Sequence, residues 1–194
     1  MTTRMRTRLG MFLLALLSSL ATAAPLLAVP PPAADDSAHG QAGHELPAAA
    51  PARLVQAVRD ATRQFIDVNA AAASDYGRFL GCVSGPDHGA MGIHYVNGAL
   101  VGDGEIDASQ PEALIYEPTG DRLRLVGVEF IVDAATWLAH HGAPPVLEGQ
   151  SFQFVGSPNR YALPAFFELH VWAWRDNPNG AFVDWNNRVT CEDQ

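Results

Sequence analysis

The stretch Phe166-Phe167-Glu168-Leu169-His170-Val171-Trp172-Ala173-Trp174 (FFELHVWAW) decides how the chain is read. It is rich in aromatic and branched residues and follows Pro164, so a strand is expected over Ala165 to Trp174. Strand alternation puts Phe166, Glu168, His170, Trp172 and Trp174 on one face and Phe167, Leu169, Val171 and Ala173 on the other. A carboxylate and an imidazole therefore share a face with aromatic rings, and neither is cheap to bury without a partner.

Working outward, four further strands are expected: Met91 to Val96, Ala113 to Glu117, Leu123 to Val132 and Ser151 to Val155. Turn-rich segments such as GDGEID and EPTGD separate them. After Val132, Asp133 can cap a short helix, AATWLAHH, that stops at Gly142 ahead of Pro144 and Pro145. His140 and His141 then sit at a helix C-terminus, where the macrodipole favours cations, and need no ligand to explain them. Ahead of the strands, Leu54, Val58, Ala61, Phe65, Val68 and Ala72 recur at helical spacing, with Pro51 in the first turn and an end before Gly77. The expected fold is α+β: an N-terminal amphipathic helix packed on a mostly antiparallel sheet or small barrel, with one short inserted helix, in a single domain over residues 52–194.

The first 24 residues have another character. A basic start with Arg4, Arg6 and Arg8, an apolar block from Met11 to Leu20 and the small residues Ala21-Thr22-Ala23-Ala24 form a Sec-type signal peptide, with cleavage near Ala23 or Ala24. The apolar block is about half of what a membrane span needs, and Pro25 follows at once. Residues 25–51, rich in Ala and Pro, read as a disordered linker whose His39 and His44 are solvated. The expectation is a secreted or periplasmic protein with no membrane span in its mature form.

The 194 residues carry 12 Lys plus Arg, all of them arginine, against 21 acidic residues. Without the three signal-peptide arginines, nine positive charges face 21 negative ones, a net of −12, which excludes a nucleic-acid partner. Cys82 and Cys191 are the only cysteines, and export to an oxidising compartment predicts that they are joined.

No HExxH, GxSxG, CxxC or phosphate-cradling loop is present, so the chemistry must be sought in ionisable residues lodged in apolar strands. His94 lies in Gly92-Ile93-His94-Tyr95-Val96, Glu129 in the middle of LVGVEFIV, and Glu117 closes Leu114-Ile115-Tyr116. Sheets build zinc, iron or copper sites from histidines and carboxylates that adjacent strands bring to one face. His94, Glu129 and His170 are the core ligand candidates, with Glu117 or Glu168 as a fourth ligand or outer partner. Tyr95, Trp172 and Trp174 are the candidate walls, and His88 and Met91 stand nearby in sequence. A buried His–Glu hydrogen-bond network that fixes sheet register explains the same residues. Asp103, Glu105 and Asp107 alternate as calcium ligands do, but a polar hairpin turn accounts for them, and Glu117, Glu129 and Glu168 contain the carboxylate pairs that glycoside hydrolysis uses.

The expected function is that of an exported binding protein for a metal ion or small ligand. The alternatives are a metal-dependent, hydrolytic enzyme with Glu129 or Glu168 as base, and an envelope module in which the polar residues are architectural. Whether the chain is an enzyme, and its oligomeric state, stay open at this level.

From Ala61 to Cys191 the chain resembles a family of exported bacterial proteins. GCVSGPDHGAMGIHYVN (81–97), PEALIYEP (111–118), LRLVGVEFIV (123–132) and NRYALPAFFELHVWAWRDNPNGAFVDWNNRVTC (159–191) carry the resemblance. The family brings no assigned reaction, ligand or cofactor. Ala162 stands where the family pattern has Gly, and Asn187 where it has Pro; neither touches the His and Glu candidates.

Overall fold

The computed structural model describes residues 50–85 and 87–193; the expected signal peptide, the expected linker up to residue 49, His39 and His44 lie outside them. Helix α1, Ala50–Thr62, buries Leu54 and Val58 four residues apart. The chain then tightens into a 3-10 turn, Arg63–Ile66, and restarts as α2, Val68–Ala73. Asp67 causes the restart: its carboxylate accepts from the Asn69 N–H at 2.9 Å and caps the second helix. One continuous helix is thus replaced by three pieces, and the buried position moves from Ala72 to Ala71.

The strands follow as β1 Gly77–Gly85, β2 Gly89–Val96, then, after α3 (Gly98–Asp103), β3 Ala113–Thr119 and β4 Arg122–Asp133. Helix α4, Ala134–Leu138, precedes the two-residue strands β5 Val146–Leu147 and β6 Gln150–Ser151, then β7 Gln153–Val155 and β8 Phe166–Val171. Among the described residues, six strands form one antiparallel sheet in the order β1-β2-β3-β4-β8-β7, curled into a half-barrel, while β5 and β6 pair separately. The fold is therefore α+β with an antiparallel sheet.

Two elements depart from the expected outline. Strand β1 occupies a segment to which the sequence reading assigns no element; it is an edge strand, mostly exposed, with register shifts around Val83. Helix α3 makes a second inserted helix. Asn97 caps it, accepting from the Ala99 and Leu100 N–H groups, and Gly104 ends it at φ +77°. Asp103 and Asp107 do not sit in one hairpin turn: each accepts from the backbone two residues on, Glu105 N at 2.8 Å and Ser109 N at 2.8 Å. Helix α4 starts where expected, with Asp133 accepting from Thr136 N at 2.7 Å.

The two faces of the sheet differ. Leu54, Val58 and Phe65 pack against Leu114, Tyr116, Leu125, Val128, Phe130, Phe167 and Leu169, which make the main core. Tyr116 and Trp174 tie the helical segment down, donating to Phe65 O at 2.7 Å and Thr62 Oγ1 at 3.0 Å. Alternation sends the intervening residues, His94, Glu129, Glu168 and His170 among them, to the opposite face.

The C-terminal segment closes over part of that opposite face. Cys82 and Cys191 are joined in a disulfide, with Cα atoms 5.7 Å apart across 109 residues of sequence. Ala90 and Asn186 form a backbone bridge beside it. Gly89 permits the approach: at φ +81°, an added Cβ would stand 2.2 Å from Asn186 O.

Candidate metal centre

Three neighbouring positions in the sheet supply the centre. Glu129 on β4 is directly opposite His170 on β8, while His94 on β2 is opposite Ile115 of the intervening β3. The side chains close the gap: His94 Nε2 is 3.2 Å from Glu129 Oε2, and the two imidazole rings meet edge to face with centroids 5.9 Å apart. One ligand atom from each of His94, Glu129 and His170 lies within 4.8 Å of the others, and all three residues are buried.

Burial sets the charge state of the rings. It strips hydration from the imidazolium form and lowers His94 to about 4, against the opposing pull of Glu168, and His170 to about 3. Both are neutral at ordinary pH and present a lone pair, the form that binds metal. His170 is 1% exposed, and neither of its ring nitrogens has a hydrogen-bond partner. Its Nδ1 is 3.6 Å from Asp184 Oδ1, too far for a hydrogen bond. A fully buried, unbonded imidazole costs stability and calls for a reason.

Carboxylates crowd the same place. Glu168, two residues along β8, is opposite Ile131 on one side and Gln153 on the other. Its carboxyl hydrogen-bonds that of Glu129; burial pushes both upward, and repulsion from Glu129 pushes Glu168 further, while the hydrogen bond opposes the rise at Glu129. Two such groups side by side cannot both ionise unless a cation joins them. Asp184 completes a second group with Glu168 and His170, again within 4.8 Å. Its loop is held by Gln153 Nε2 donating to Asp184 Oδ1 at 2.6 Å and by Trp172, whose indole donates to Val183 O at 2.6 Å. Sequence reasoning missed Asp184 because its segment has no periodicity; its lone hint is a carboxylate set between Val183 and Trp185.

The other candidates are dispersed. Glu117 is buried elsewhere, paired with Arg124 and accepting from Thr190 N at 3.1 Å. Tyr95 is on the helix side, its ring 5.1 Å from that of Tyr116. Trp174 is also on the helix side, contrary to the alternation read from the sequence. Strand β8 stops at Val171, and the Trp174 and Arg175 N–H groups turn to share Val126 O, so the period of two ends before Trp174. Trp172 does remain with the centre, its ring 6.3 Å from His170 at 23°. His88 is exposed, and Met91 is buried with its sulfur accepting from the Tyr161 hydroxyl at 3.6 Å. Among the described residues, Asp103, Glu105 and Asp107 do not converge as an ion-binding group.

A cavity of about 610 Å³ opens over His94 and Glu129. Phe79, Val83, Val101, Ile131, Leu163 and Phe166 make its walls apolar, and Tyr161 adds a hydroxyl. Burial, with the nearby Glu129 and Glu168, pushes Tyr161 up to about 12, so it stays a hydrogen-bond donor. Beneath an apolar chamber, then, lie two neutral imidazoles and a carboxylate in reach of one another, a donor set suited to a divalent transition metal. No protein-family model, curated protein or solved structure matches the chain.

Proposed function

We propose that this chain is an exported, secreted or periplasmic, binding protein that holds one divalent transition-metal ion, zinc, copper or iron, between His94, Glu129 and His170. The observation that carries the reading is His170: fully buried, uncharged, with both ring nitrogens unbonded, and set among groups that can share an ion. Metal coordination supplies the missing partner, and it supplies the cation that the adjacent Glu129 and Glu168 carboxyls lack. Glu168 and Asp184 then serve as outer groups that orient the ligands. A purely architectural His–Glu network accounts for His94 and Glu129, which touch, but leaves His170 without a bond. Export is supported by the Cys82–Cys191 disulfide and by the signal-like first 24 residues.

A metal-dependent hydrolytic enzyme is the second reading. It is favoured by the cavity above the centre, since three protein ligands leave a position for water beside a chamber able to take a substrate.

Protein purified without chelator tests the proposal. Equimolar zinc should raise the melting temperature of the wild type and leave the H94A/H170A double variant unmoved. A wild type with neither bound metal nor a melting shift with zinc, copper or iron would rule the metal reading out.

A further inference from the structure

Granted the metal at His94, Glu129 and His170, on which this rests, we infer that the cavity binds an amphiphilic small molecule: an apolar body seated between the walls and one anionic oxygen head on the ion. The chamber and the centre are one continuous space, because His94 and Glu129 belong to the cavity lining as well as to the ligand set. Its volume, about 610 Å³, is in the range of small-molecule sites. It reaches the surface, since Leu80 on its rim is 53% exposed.

Coordination selects the head group. Three protein ligands leave a divalent ion a fourth position open to the chamber, and an anionic oxygen is a donor that such an ion takes there. Among the lining residues Arg78 is the lone arginine, and the Asp133 carboxylate is already engaged at the start of α4. On the same surface the Tyr161 hydroxyl donates to the Met91 sulfur at 3.6 Å, a weak acceptor that a ligand oxygen can displace. A single anionic oxygen group meets the ion, whereas the remaining lining residues, Phe79, Val83, Val96, Val101, Ile131 and Phe166 foremost, reward only apolar area.

Octanoate is a suitable probe, titrated calorimetrically into the zinc-loaded full chain, with acetate and octylamine as controls and zinc content measured in every sample. Octanoate should bind one to one, at least tenfold tighter than acetate or octylamine, and at least tenfold more weakly without zinc. V101W and L163W fill the chamber from two walls; each should retain zinc and lose octanoate affinity at least tenfold. Zinc bound at one equivalent with octanoate no tighter than acetate, or unchanged octanoate affinity in both zinc-retaining variants, overturns the inference and leaves the metal centre standing. Absence of stoichiometric zinc in the wild type overturns the metal centre and the inference with it.

Discussion

Glu129 on β4 stands directly across the ladder from His170 on β8, and the two belong to strands that also bury Phe130 and Leu169 on the far side of the sheet. Each strand thus anchors itself in the main core with one residue and presents a candidate ligand with the next. The centre is as rigid as the sheet, which is what preorganised coordination requires.

Replacing His170 with Phe separates a metal ligand from a structural residue. The aromatic ring is kept, one ring atom larger, and two unbonded buried nitrogens are removed, so in the presence of chelator H170F should be more stable than the wild type by about 1–2 kcal/mol. Denaturant unfolding measures this. The same variant should show no zinc-induced stabilisation. A loss of several kcal/mol in chelator would instead mean that His170 makes bonds the account denies it.

The disulfide makes a separate prediction. A C82S/C191S variant should lose about 2–5 kcal/mol of stability, given the long loop that the bond closes. Its zinc stoichiometry should be unchanged, because the proposed ligands sit on β2, β4 and β8, which join through β3 without help from the C-terminal segment. Chemical denaturation and elemental analysis of the same sample check both halves.

Glu117 was a candidate ligand on strand position alone, and its surroundings give it another role. It joins Arg124 to the backbone of Thr190 and so fastens the C-terminal segment to β3. E117A should cost about 1–3 kcal/mol, from the part-buried Thr190 bond lost and Arg124 left unpaired. It should bind zinc as the wild type does. A variant that folds normally and loses its metal would return Glu117 to the centre.

The alternation of FFELHV made Glu168 and His170 legible, because a period of two needs only a regular strand. The same rule failed at Trp174, where the strand had ended, and the sequence carries no mark at Val171 to say so. Asp67 was equally silent: an apolar stripe continues past it, and only the carboxylate bonded to Asn69 N reveals the break. Strand β1 escaped notice because an edge strand, largely exposed on both faces, has little alternation to show. Asp184 and Tyr161 come from irregular segments brought in by tertiary contacts such as Gln153 to Asp184, which no local pattern encodes. The pairing of Cys82 with Cys191 needed only a count of two.

Glu112, which is not one of the proposed ligands, predicts a pH dependence. Its buried carboxyl accepts from Ile131 N at 3.0 Å, and burial pushes it up to about 8 from the ordinary 4.5. The folded form therefore keeps its proton to higher pH than the unfolded form. The stabilisation is complete below about 4.5 and is lost as pH climbs through about 8. E112Q keeps an acceptor for Ile131 N–H and cannot ionise. In chelator, the melting temperature of E112Q relative to wild type should rise between pH 5 and 8.5 by about 4 °C or more. A difference that stays flat with pH would contradict the assignment.

Zinc K-edge X-ray absorption on the chain loaded with one equivalent of zinc tests the central claim most directly. The account predicts nitrogen and oxygen neighbours at about 2.0–2.2 Å, with the outer scattering of two imidazole rings, falling to one ring in H94A. Zinc that binds substoichiometrically, or whose spectrum lacks imidazole scattering, would contradict it.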